Sequence, residues 1–231
     1  MPICQIQDLG LIEYQAAWGL QNRLAAEIAR GERPASLLLL EHPHTFTFGR
    51  RADSLNLVWS PQELEQHGVT INWVDRGGDV TYHGPGQLVG YPLLKLEGTD
   101  HVGYVRQLEK MLITALARLG LVSGQLSGKT GVWVQADVAS RCPRCRPEDR
   151  RKPAKIAAIG VKVDARGVTR HGFALNIDPQ MEYFEGIIPC GIRDYPVVSL
   201  ADLLPSAPGM AQVKREVARA FGETFGYETE A

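Results

Sequence analysis

One cysteine and one lysine in this chain of 231 residues could together form a nucleophilic centre. Cys190 lies between Pro189, which restricts the backbone before it, and Gly191, which has no side chain to cover the sulfur. Such a turn suits an exposed nucleophile with backbone N–H groups nearby to stabilise an oxyanion. A free thiol has a pKa of about 8.5, so only a few per cent is thiolate at pH 7. A lysine ammonium beside the sulfur, such as that of Lys155, would lower this pKa and activate the cysteine.

The residue types alone leave these assignments open. An isolated cysteine is more often a small buried apolar residue than a nucleophile, and Cys4, Cys142 and Cys145 compete for the role. A lysine at the end of a strand most often reaches into solvent. Lys155 and Lys162 stand at the two ends of one apolar run, seven residues apart. A regular strand points two such residues to opposite faces, so only one of them can face a given site.

The densest unusual segment is residues 76–87, which contains four glycines and a proline. Within it, Thr81 and His83 alternate with Val80 and Tyr82, so the polar pair could share one face of a short strand and present a hydroxyl and an imidazole to a pocket. The glycine spacing fits neither a phosphate-binding loop nor a dinucleotide fingerprint. Two tight turns around a strand would explain the same residues without any ligand.

The run from Arg76 to Pro92 resembles the signature of the lipoyl(octanoyl) transferase family. It contains Arg-Gly-Gly, a threonine two residues before a histidine, Gly-Pro-Gly-Gln-Leu-Val and Tyr-Pro. Downstream segments agree with the family in the same order, and the resemblance covers most of the chain. These segments are Gly131-Val132-Trp133, Lys155-Ile156-Ala157-Ala158-Ile159-Gly160, His171-Gly172-Phe173-Ala174-Leu175-Asn176 and Pro189-Cys190-Gly191-Ile192. Several long motifs in a fixed order are more specific than any one of them.

The resemblance implies ping-pong acyl transfer, with Cys190 as the acyl-accepting nucleophile and Lys155 as the catalytic lysine that moves the proton. It implies octanoyl acyl carrier protein as the donor, and lysines on the lipoyl domains of 2-oxoacid dehydrogenase E2 subunits and glycine cleavage H protein as acceptors. It implies no metal and no organic cofactor. The substrate-binding residues that it implies are Arg76, Gly77, Gly78, Asp79, Val80, Thr81, Tyr82, His83, Ala158, Ile159, Gly160, His171, Gly172 and Phe173.

The elements that must position these motifs are mixed in type. Apolar runs over residues 155–163 and 168–177 flank an Asp-Ala-Arg-Gly turn, which predicts a β-hairpin. Long amphipathic helices are predicted over residues 11–30 and 102–119. A regular alternation of strand and helix is absent, so the pattern favours a mixed α/β (α+β) domain with helices on a largely antiparallel sheet. The resemblance implies the fold of the biotin and lipoate protein ligases.

Composition excludes several classes of function. The net charge of -1 gives no basic field for nucleic acid. No apolar run approaches the roughly 20 residues that span a bilayer. Four cysteines do not form the dense framework of a small secreted protein. We therefore expect a cytoplasmic protein that binds neither nucleic acid nor a membrane.

A basic loop over residues 136–153 departs from the family pattern and is expected to be an insertion in a single catalytic domain spanning residues 1–231. Residues 141–152 hold five arginines, one lysine and two acidic residues. Cys142 and Cys145 have the spacing of half a zinc site or of a redox pair, but a second ligand pair at matching spacing is absent. We expect an exposed loop with incidental thiols, and a role for its charge in docking an acidic carrier protein.

Three other functions fit parts of the pattern. An ATP-dependent lipoate or biotin protein ligase would share the fold, but the Arg-Gly-Gly at residues 76–78 matches its nucleotide loop poorly. A cysteine hydrolase with a Cys–Lys pair would release free acid without an acceptor. A non-catalytic protein that binds an acyl carrier would form no acyl adduct.

Overall fold

Eleven strands form two β-sheets within residues 1–98, 100–189 and 194–230, the part of the chain that the computed structural model describes. The large sheet has eight strands and the small sheet three. The predicted nucleophile Cys190 lies outside the described residues. The strands are β1 (Ile3–Leu11), β2 (Ala35–Glu41), β3 (Thr45–Phe48), β4 (Thr70–Trp73), β5 (Val80–His83), β6 (Gln87–Leu93), β7 (Gly124–Leu126), β8 (Lys129–Val134), β9 (Ala154–Val163), β10 (Thr169–Asn176) and β11 (Glu228–Glu230).

Antiparallel pairs predominate in the large sheet, whose strand order is β11-β1-β2-β6-β10-β9-β8-β7. β1 runs parallel to β2 and β11, and every other neighbouring pair is antiparallel. The small sheet has the order β4-β3-β5, with β3 parallel to β4 and antiparallel to β5. The predicted hairpin is β9–β10, and its turn residue Gly167 takes a positive φ of 79°. The architecture confirms the predicted mixed fold class.

Helices cover both faces of the large sheet. The first ends where Gly31 adopts the left-handed conformation that only glycine takes up freely. The prediction of a helix from residue 11 is wrong for its first turn, because β1 continues to Leu11 and pairs with Glu41 of β2. None of the helices in the described part of the chain is both long and apolar enough to cross a membrane. The helices are α1 (Tyr14–Arg30), α2 (Pro61–Gln66), α3 (His101–Arg118), α4 (Ala136–Ala139), α5 (Leu200–Leu203) and α6 (Met210–Phe225).

The core lies on both sides of the large sheet, as the run of four leucines in β2 illustrates. Leu37 and Leu39 pack in the cluster that contains the apolar faces of α3 and α6. Leu38 and Leu40 pack in a second cluster with α1. Successive side chains of a strand point to opposite faces, so a strand covered on both sides is apolar throughout.

The small sheet has its own apolar cluster, and β5 separates this cluster from a cavity. Val80 and Tyr82 pack with Phe46 of β3 in the cluster. Thr81 and His83, the alternate residues, line the cavity. This is the alternation that the sequence predicts for the strand.

The predicted insertion over residues 136–153 is a folded segment that begins with α4. Cys142 is buried and joined to Cys145 by a disulfide bond, so the expectation of incidental exposed thiols is wrong. Arg144 Nε donates to Asp202 Oδ1 at 2.5 Å and ties the segment to α5. Local covalent and ionic contacts therefore order the loop.

Candidate functional site

A cavity lies where the small sheet meets β9 and β10 of the large sheet. Its walls combine β5 and the segment before it with the middle of β9 and the first part of β10, and α1 and β6 contribute one tyrosine each. The lining residues are Tyr14, Arg76, Gly78, Asp79, Thr81, His83, Tyr91, Ala158, Ile159, Gly160, His171, Gly172, Phe173 and Ala174.

A second, smaller hollow adjoins the first and leads to Lys155. Thr81, Ala158 and Ala174 line both hollows. The remaining residues around the second hollow are Gln87, Lys155, Asn176, Phe184, Pro189 and Val197. Together the two hollows form a trough with apolar residues along its middle and a lysine at one end.

Eleven of the fourteen predicted substrate-binding residues line the first hollow, and three do not. Val80 and Tyr82 are fully buried in the apolar cluster of the small sheet, on the other side of β5. The Gly77 N–H donates to the Val161 carbonyl at 2.9 Å and so closes the edge between the two sheets. The structure thus brings together residues 158–160 and the alternate residues of β5, which are far apart in the sequence.

The Asp75 carboxylate joins the two sheets at one end of the cavity. Its Oδ1 lies 2.7 Å from His171 Nε2, and its Oδ2 accepts from Arg170 at 2.9 Å and from Lys162 at 2.5 Å. The hydrogen bond from His171, then that from Lys162 and the charge of Arg170, hold the pKa of Asp75 well below its usual range, although burial opposes them. Asp75 is therefore a charged clamp that binds β9 and β10.

His171 is held in a strained conformation at this clamp. Its φ is 56°, a value that a residue with a side chain rarely adopts outside functional or tightly packed sites. Its backbone N–H donates to Gln21 Oε1 at 2.7 Å, and its Nδ1 lies 3.4 Å from the Tyr14 hydroxyl. Burial lowers the pKa of His171 despite the hydrogen bond to Asp75. A neutral ring that donates from Nε2 and accepts at Nδ1 satisfies both contacts.

Two further buried histidines are also neutral rings with hydrogen-bond partners, but they donate from Nδ1. His42 Nδ1 donates to the Ile12 carbonyl at 2.7 Å, and its Nε2 accepts from the Tyr91 hydroxyl at 2.8 Å. His83 Nδ1 donates to Gln87 Oε1 at 2.8 Å. Burial lowers the pKa of His42 to about 4 and places that of His83 well below its ordinary value of 6.5. At neutral pH both rings act as fixed polar groups: His83 lines the cavity, and His42 holds the hydroxyl of Tyr91, which lines it.

Arg76 places a positive charge in the same wall. Its Nη2 donates to the Thr47 carbonyl at 2.6 Å, and its Nη1 donates to the Gly77 carbonyl at 3.0 Å. The guanidinium is buried and held by backbone oxygens, so its position is fixed by β3 and by its own turn.

Lys155 lies at the other end of the trough and is also mostly buried, with 8% of its surface exposed. The backbone N–H of Lys155 donates to the Pro196 carbonyl, and its backbone carbonyl accepts from the Val198 N–H, both at 2.9 Å. Its Nζ lies 4.8 Å from the centre of the Trp133 ring. Lys162, near the end of the same strand, is bound by the carboxylate clamp instead.

Several cavity residues were not identified from the sequence. Asp75, which binds the cavity residue His171, lies between β4 and the Arg-Gly-Gly motif. Gln87 and Tyr91 lie within the segment that carries the resemblance, so the motif itself pointed to them. Tyr14 and Phe184 have no local signal, because their positions depend on how α1 and the turn before residue 187 pack.

Comparison with known proteins gives one consistent family. Residues 13–222 match the family described as lipoyl protein ligase A/B catalytic domain. A protein named Octanoyltransferase from Chloroflexus aurantiacus is 48% identical over 225 residues, which cover 96% of this chain and 94% of that protein. An Octanoyltransferase from Rubrobacter xylanophilus is 43% identical over 218 residues, which cover 94% of this chain and 91% of that protein.

Solved structures show the same fold at low sequence identity. A bipartite lipoate protein ligase from Thermoplasma acidophilum aligns with a TM-score of 0.72 at 16% identity, over 100% of this chain and 88% of its own. A lipoate-protein ligase A bound with ATP aligns with a TM-score of 0.68 at 15% identity, over 100% of this chain and 90% of its own. These likenesses confirm the fold of the biotin and lipoate protein ligases that the sequence predicts.

Acidification should destabilise the protein, because the buried histidines bind protons more weakly in the folded state than in the unfolded state. The stability from His42 is complete above the unfolded pKa of about 6.5 and is lost as the pH falls towards the folded value of about 4. Each such histidine adds up to about 1.4 kcal/mol per pH unit to the free energy of unfolding. Urea unfolding at several pH values between about 7 and 5 measures the slope.

The matched variants are His42→Gln and His101→Gln. Glutamine can still donate and accept at residue 42 but binds no proton, so the slope should become shallower by about one proton. His101 is exposed at the start of α3, and its replacement should leave the slope unchanged. An equal slope in the parent and in His42→Gln would contradict the assignment of His42 as a buried neutral ring.

Proposed function

Because the chain belongs to the family of lipoyl protein ligase A/B catalytic domains and is an octanoyltransferase, we propose that it carries the octanoyl group on Cys190 and uses Lys155 to move the proton. In this proposal residues 1–231 act as one catalytic domain. The described chain enters the hollow of Lys155 at Pro189 and returns to the Lys155 backbone at Pro196. This is the observation that carries the proposal, since Cys190 lies between these two points of the sequence.

The order of residues in the sequence supports the pairing of the two groups. Pro189 lines the second hollow together with Lys155. Cys190 is the next residue in the sequence. A lysine ammonium can then stabilise a thiolate through a charge-assisted contact.

The other three cysteines of the chain are poor nucleophiles. Cys4 is fully buried in the core, and burial raises the pKa of its thiol to about 12. Cys142 and Cys145 are joined to each other by a disulfide bond. Cys190 is the cysteine that remains of the four in the sequence.

The reaction divides into two acyl transfers. In the first, Lys155 takes the Cys190 proton, and the thiolate attacks the carbonyl carbon of the donor thioester. The bond to the pantetheine sulfur breaks, and that sulfur leaves as a thiol with the proton from Lys155. In the second, the ε-amine of the acceptor lysine attacks the acyl-Cys190 thioester and loses a proton to Lys155. Cys190 then leaves as the thiol, with the proton returned by Lys155, and an amide remains. Because an amide is more stable than a thioester, no ATP is consumed.

The trough between the sheets suits the acyl chain. Ala158, Ile159, Phe173 and Ala174 provide an apolar lining between the carboxylate clamp and Lys155. Each methylene removed from water contributes about 0.8 kcal/mol to binding. In this position the carbonyl carbon of the acyl group would lie at the Lys155 end of the trough, where the nucleophile is proposed.

We propose octanoyl acyl carrier protein as the donor, and the lipoyl domains of 2-oxoacid dehydrogenase E2 subunits and glycine cleavage H protein as acceptors. The relatives at 43% to 48% identity are named octanoyltransferases, which supports octanoyl as the group that is transferred. The structural neighbour from Thermoplasma acidophilum was solved in a study of a ligase and its E2 lipoyl domain, which supports a lipoyl-domain acceptor.

Intact mass spectrometry after mixing with octanoyl acyl carrier protein tests the covalent step. The native protein should gain one octanoyl group, whereas Cys190→Ala should gain none. Lys155→Ala should form the adduct at least about 100-fold more slowly, because a positioned proton acceptor contributes at least that factor.

The control variant is Cys4→Ala, which removes a buried thiol and should still form the adduct at the native rate. An adduct on Cys190→Ala would contradict the proposal. Octanoylation of a lipoyl domain from free octanoate and ATP, without carrier protein, would instead identify an ATP-dependent ligase.

The basic loop over residues 136–153 is our proposed docking surface for the carrier. Arg144 and Lys152 are used inside the fold, in ion pairs with acidic neighbours. Arg141, Arg146 and Arg151 are exposed, and no ion pair within the described part of the chain engages them. They leave unneutralised positive charge on the surface for an acidic partner.

Replacing Arg141, Arg146 and Arg151 together by alanine should raise the KM for octanoyl acyl carrier protein at low salt and leave the KM for the lipoyl domain unchanged. Added salt should reduce the difference in this donor KM between the variant and the native protein, because salt screens the charges. A charge-matched control is the triple alanine variant of Arg23, Lys110 and Arg215, which are exposed on α1, α3 and α6. An unchanged donor KM, or an equal rise in both triple variants, would refute the loop as docking site.

A further inference from the structure

Beside the trough, Trp133, Lys155, Pro189, Tyr195 and Val197 enclose a small hollow. The Lys155 Nζ lies over the face of the Trp133 ring, 4.8 Å from its centre. A cation within about 6 Å of a tryptophan ring centre is attracted by the negative face of the ring, most strongly where water is excluded. Both residues are buried, so this contact is a strong restraint on the amine.

The ring is itself held in place. Trp133 has 1% of its surface exposed and stands opposite Lys155 in the pairing of β8 with β9. The Tyr195 ring packs against it edge to face, with centres 5.5 Å apart. Lys129 Nζ lies 5.9 Å from the Tyr195 ring centre on the outer side. Two rings and two ammonium groups therefore form a chain of contacts that ends at Lys155.

A buried carboxylate fixes the start of β8 beneath this stack. Glu109 of α3 is fully buried, and its Oε1 accepts from the Gly131 N–H at 3.0 Å. Its Oε2 accepts from Arg106 and Gln125, both at 2.6 Å. Gly131 has a φ of 117°, and a side chain there would contact the Lys155 Cε at 3.4 Å. The lysine stem thus passes over a residue that must be glycine.

Residue 133 is a tryptophan although its indole N–H is unsatisfied among the described residues. The Trp133 Nε1–H is buried and has no hydrogen-bond partner in the part of the chain that the structure describes. A buried indole N–H usually finds a partner, and phenylalanine would fill apolar space without that unsatisfied group. Tryptophan does have the most negative ring face of the aromatic residues, so contact with a cation accounts for its presence.

We propose that Trp133 is a positioning residue that holds the Lys155 amine over its ring face for its role in proton exchange. This inference rests on the proposed function, in which Lys155 is the proton carrier. A lysine side chain has four rotatable bonds, and the ring reduces the number of positions that the amine samples, which favours those suited to proton exchange. Trp133 lines neither hollow of the acyl trough, so its removal should slow the reaction without weakening binding of the acyl chain.

Single-turnover acylation by octanoyl acyl carrier protein, followed by intact mass, measures the effect in Trp133→Leu and Trp133→Phe. Loss of the ring in Trp133→Leu should slow acylation about tenfold at saturating donor, with an unchanged KM. Trp133→Phe keeps a smaller aromatic face and should recover a rate within about threefold of the native one. Trp73→Leu, which removes a tryptophan with 58% of its surface exposed, is the matched control and should acylate normally.

A double-variant cycle separates positioning from a general structural effect. In a Lys155→Ala background, Trp133→Leu should cause no further loss of rate, because the amine that it positions is absent. If Trp133→Leu slows the Lys155→Ala protein by the same factor as the native one, the ring acts on the fold and the inference is overturned. If Trp133→Leu fails to fold, Tyr195→Leu replaces it in the same cycle, since Tyr195 is only half-buried and steadies the same ring.

The result also distinguishes this inference from the proposed function. Normal acylation of Lys155→Ala would refute the role of the lysine, whatever the tryptophan does. Slow acylation of Lys155→Ala together with native rates in both Trp133 variants would refute only the positioning role of Trp133.

Discussion

The hydrogen-bonded register of β9 is the constraint on which the site depends. Residues 157–163 of this ten-residue strand pair with β10, and Ala154, Lys155 and Ala157 near its start pair with β8, so the order in which they meet their neighbours is fixed. Lys155 near its start lies opposite Trp133, residues 158–160 form the wall of the trough, and Lys162 near its end reaches Asp75. Amine, acyl wall and carboxylate clamp therefore stand in line along one strand. A slip of one residue would exchange the faces to which the side chains of β9 point and would break this arrangement, because side chains alternate between the faces of a sheet.

Polar groups in the wall of a trough for an uncharged acyl chain must already have their hydrogen bonds within the protein. The Asp75 carboxylate receives its hydrogen bonds from the large sheet, and the neutral rings of His42, His83 and His171 each have a partner for both nitrogens. Removing water from such walls costs little, since buried polar groups are expensive only when they are unpaired. Hydrogen bonds to α1 and to the clamp also hold His171 in its strained backbone conformation. The Lys155 amine also lies over an aromatic face.

The sequence was sufficient where local pattern determines structure. The turn between β9 and β10 was predicted because two apolar runs flank Asp-Ala-Arg-Gly, and the alternation in β5 separated Thr81 and His83 from their apolar neighbours. The sequence was insufficient where contacts between residues far apart in the chain determine the structure. The partners of Asp75 on β9 and β10 are 87 to 96 positions away in the sequence, and no local pattern selects them. β11 has three exposed polar residues and becomes a strand only because α6 returns the chain to the edge of β1. The spacing of Cys142 and Cys145 was compatible with zinc, redox and incidental thiols, and only their approach in space selected a disulfide bond.

The central claim is that the Lys155 amine controls the ionisation of the Cys190 thiol, and the pH dependence of alkylation tests it most directly. Peptide mapping after timed reaction with iodoacetamide gives the rate at Cys190 alone, for the native protein and for Lys155→Met, which keeps the length of the side chain and removes its charge. The account predicts that the midpoint of the native rate profile lies below about 8.5, the value for a free thiol, and that the midpoint in Lys155→Met moves up by about one pH unit or more. Coincident midpoints in the two proteins would contradict it, because the lysine would then have no electrostatic contact with the sulfur.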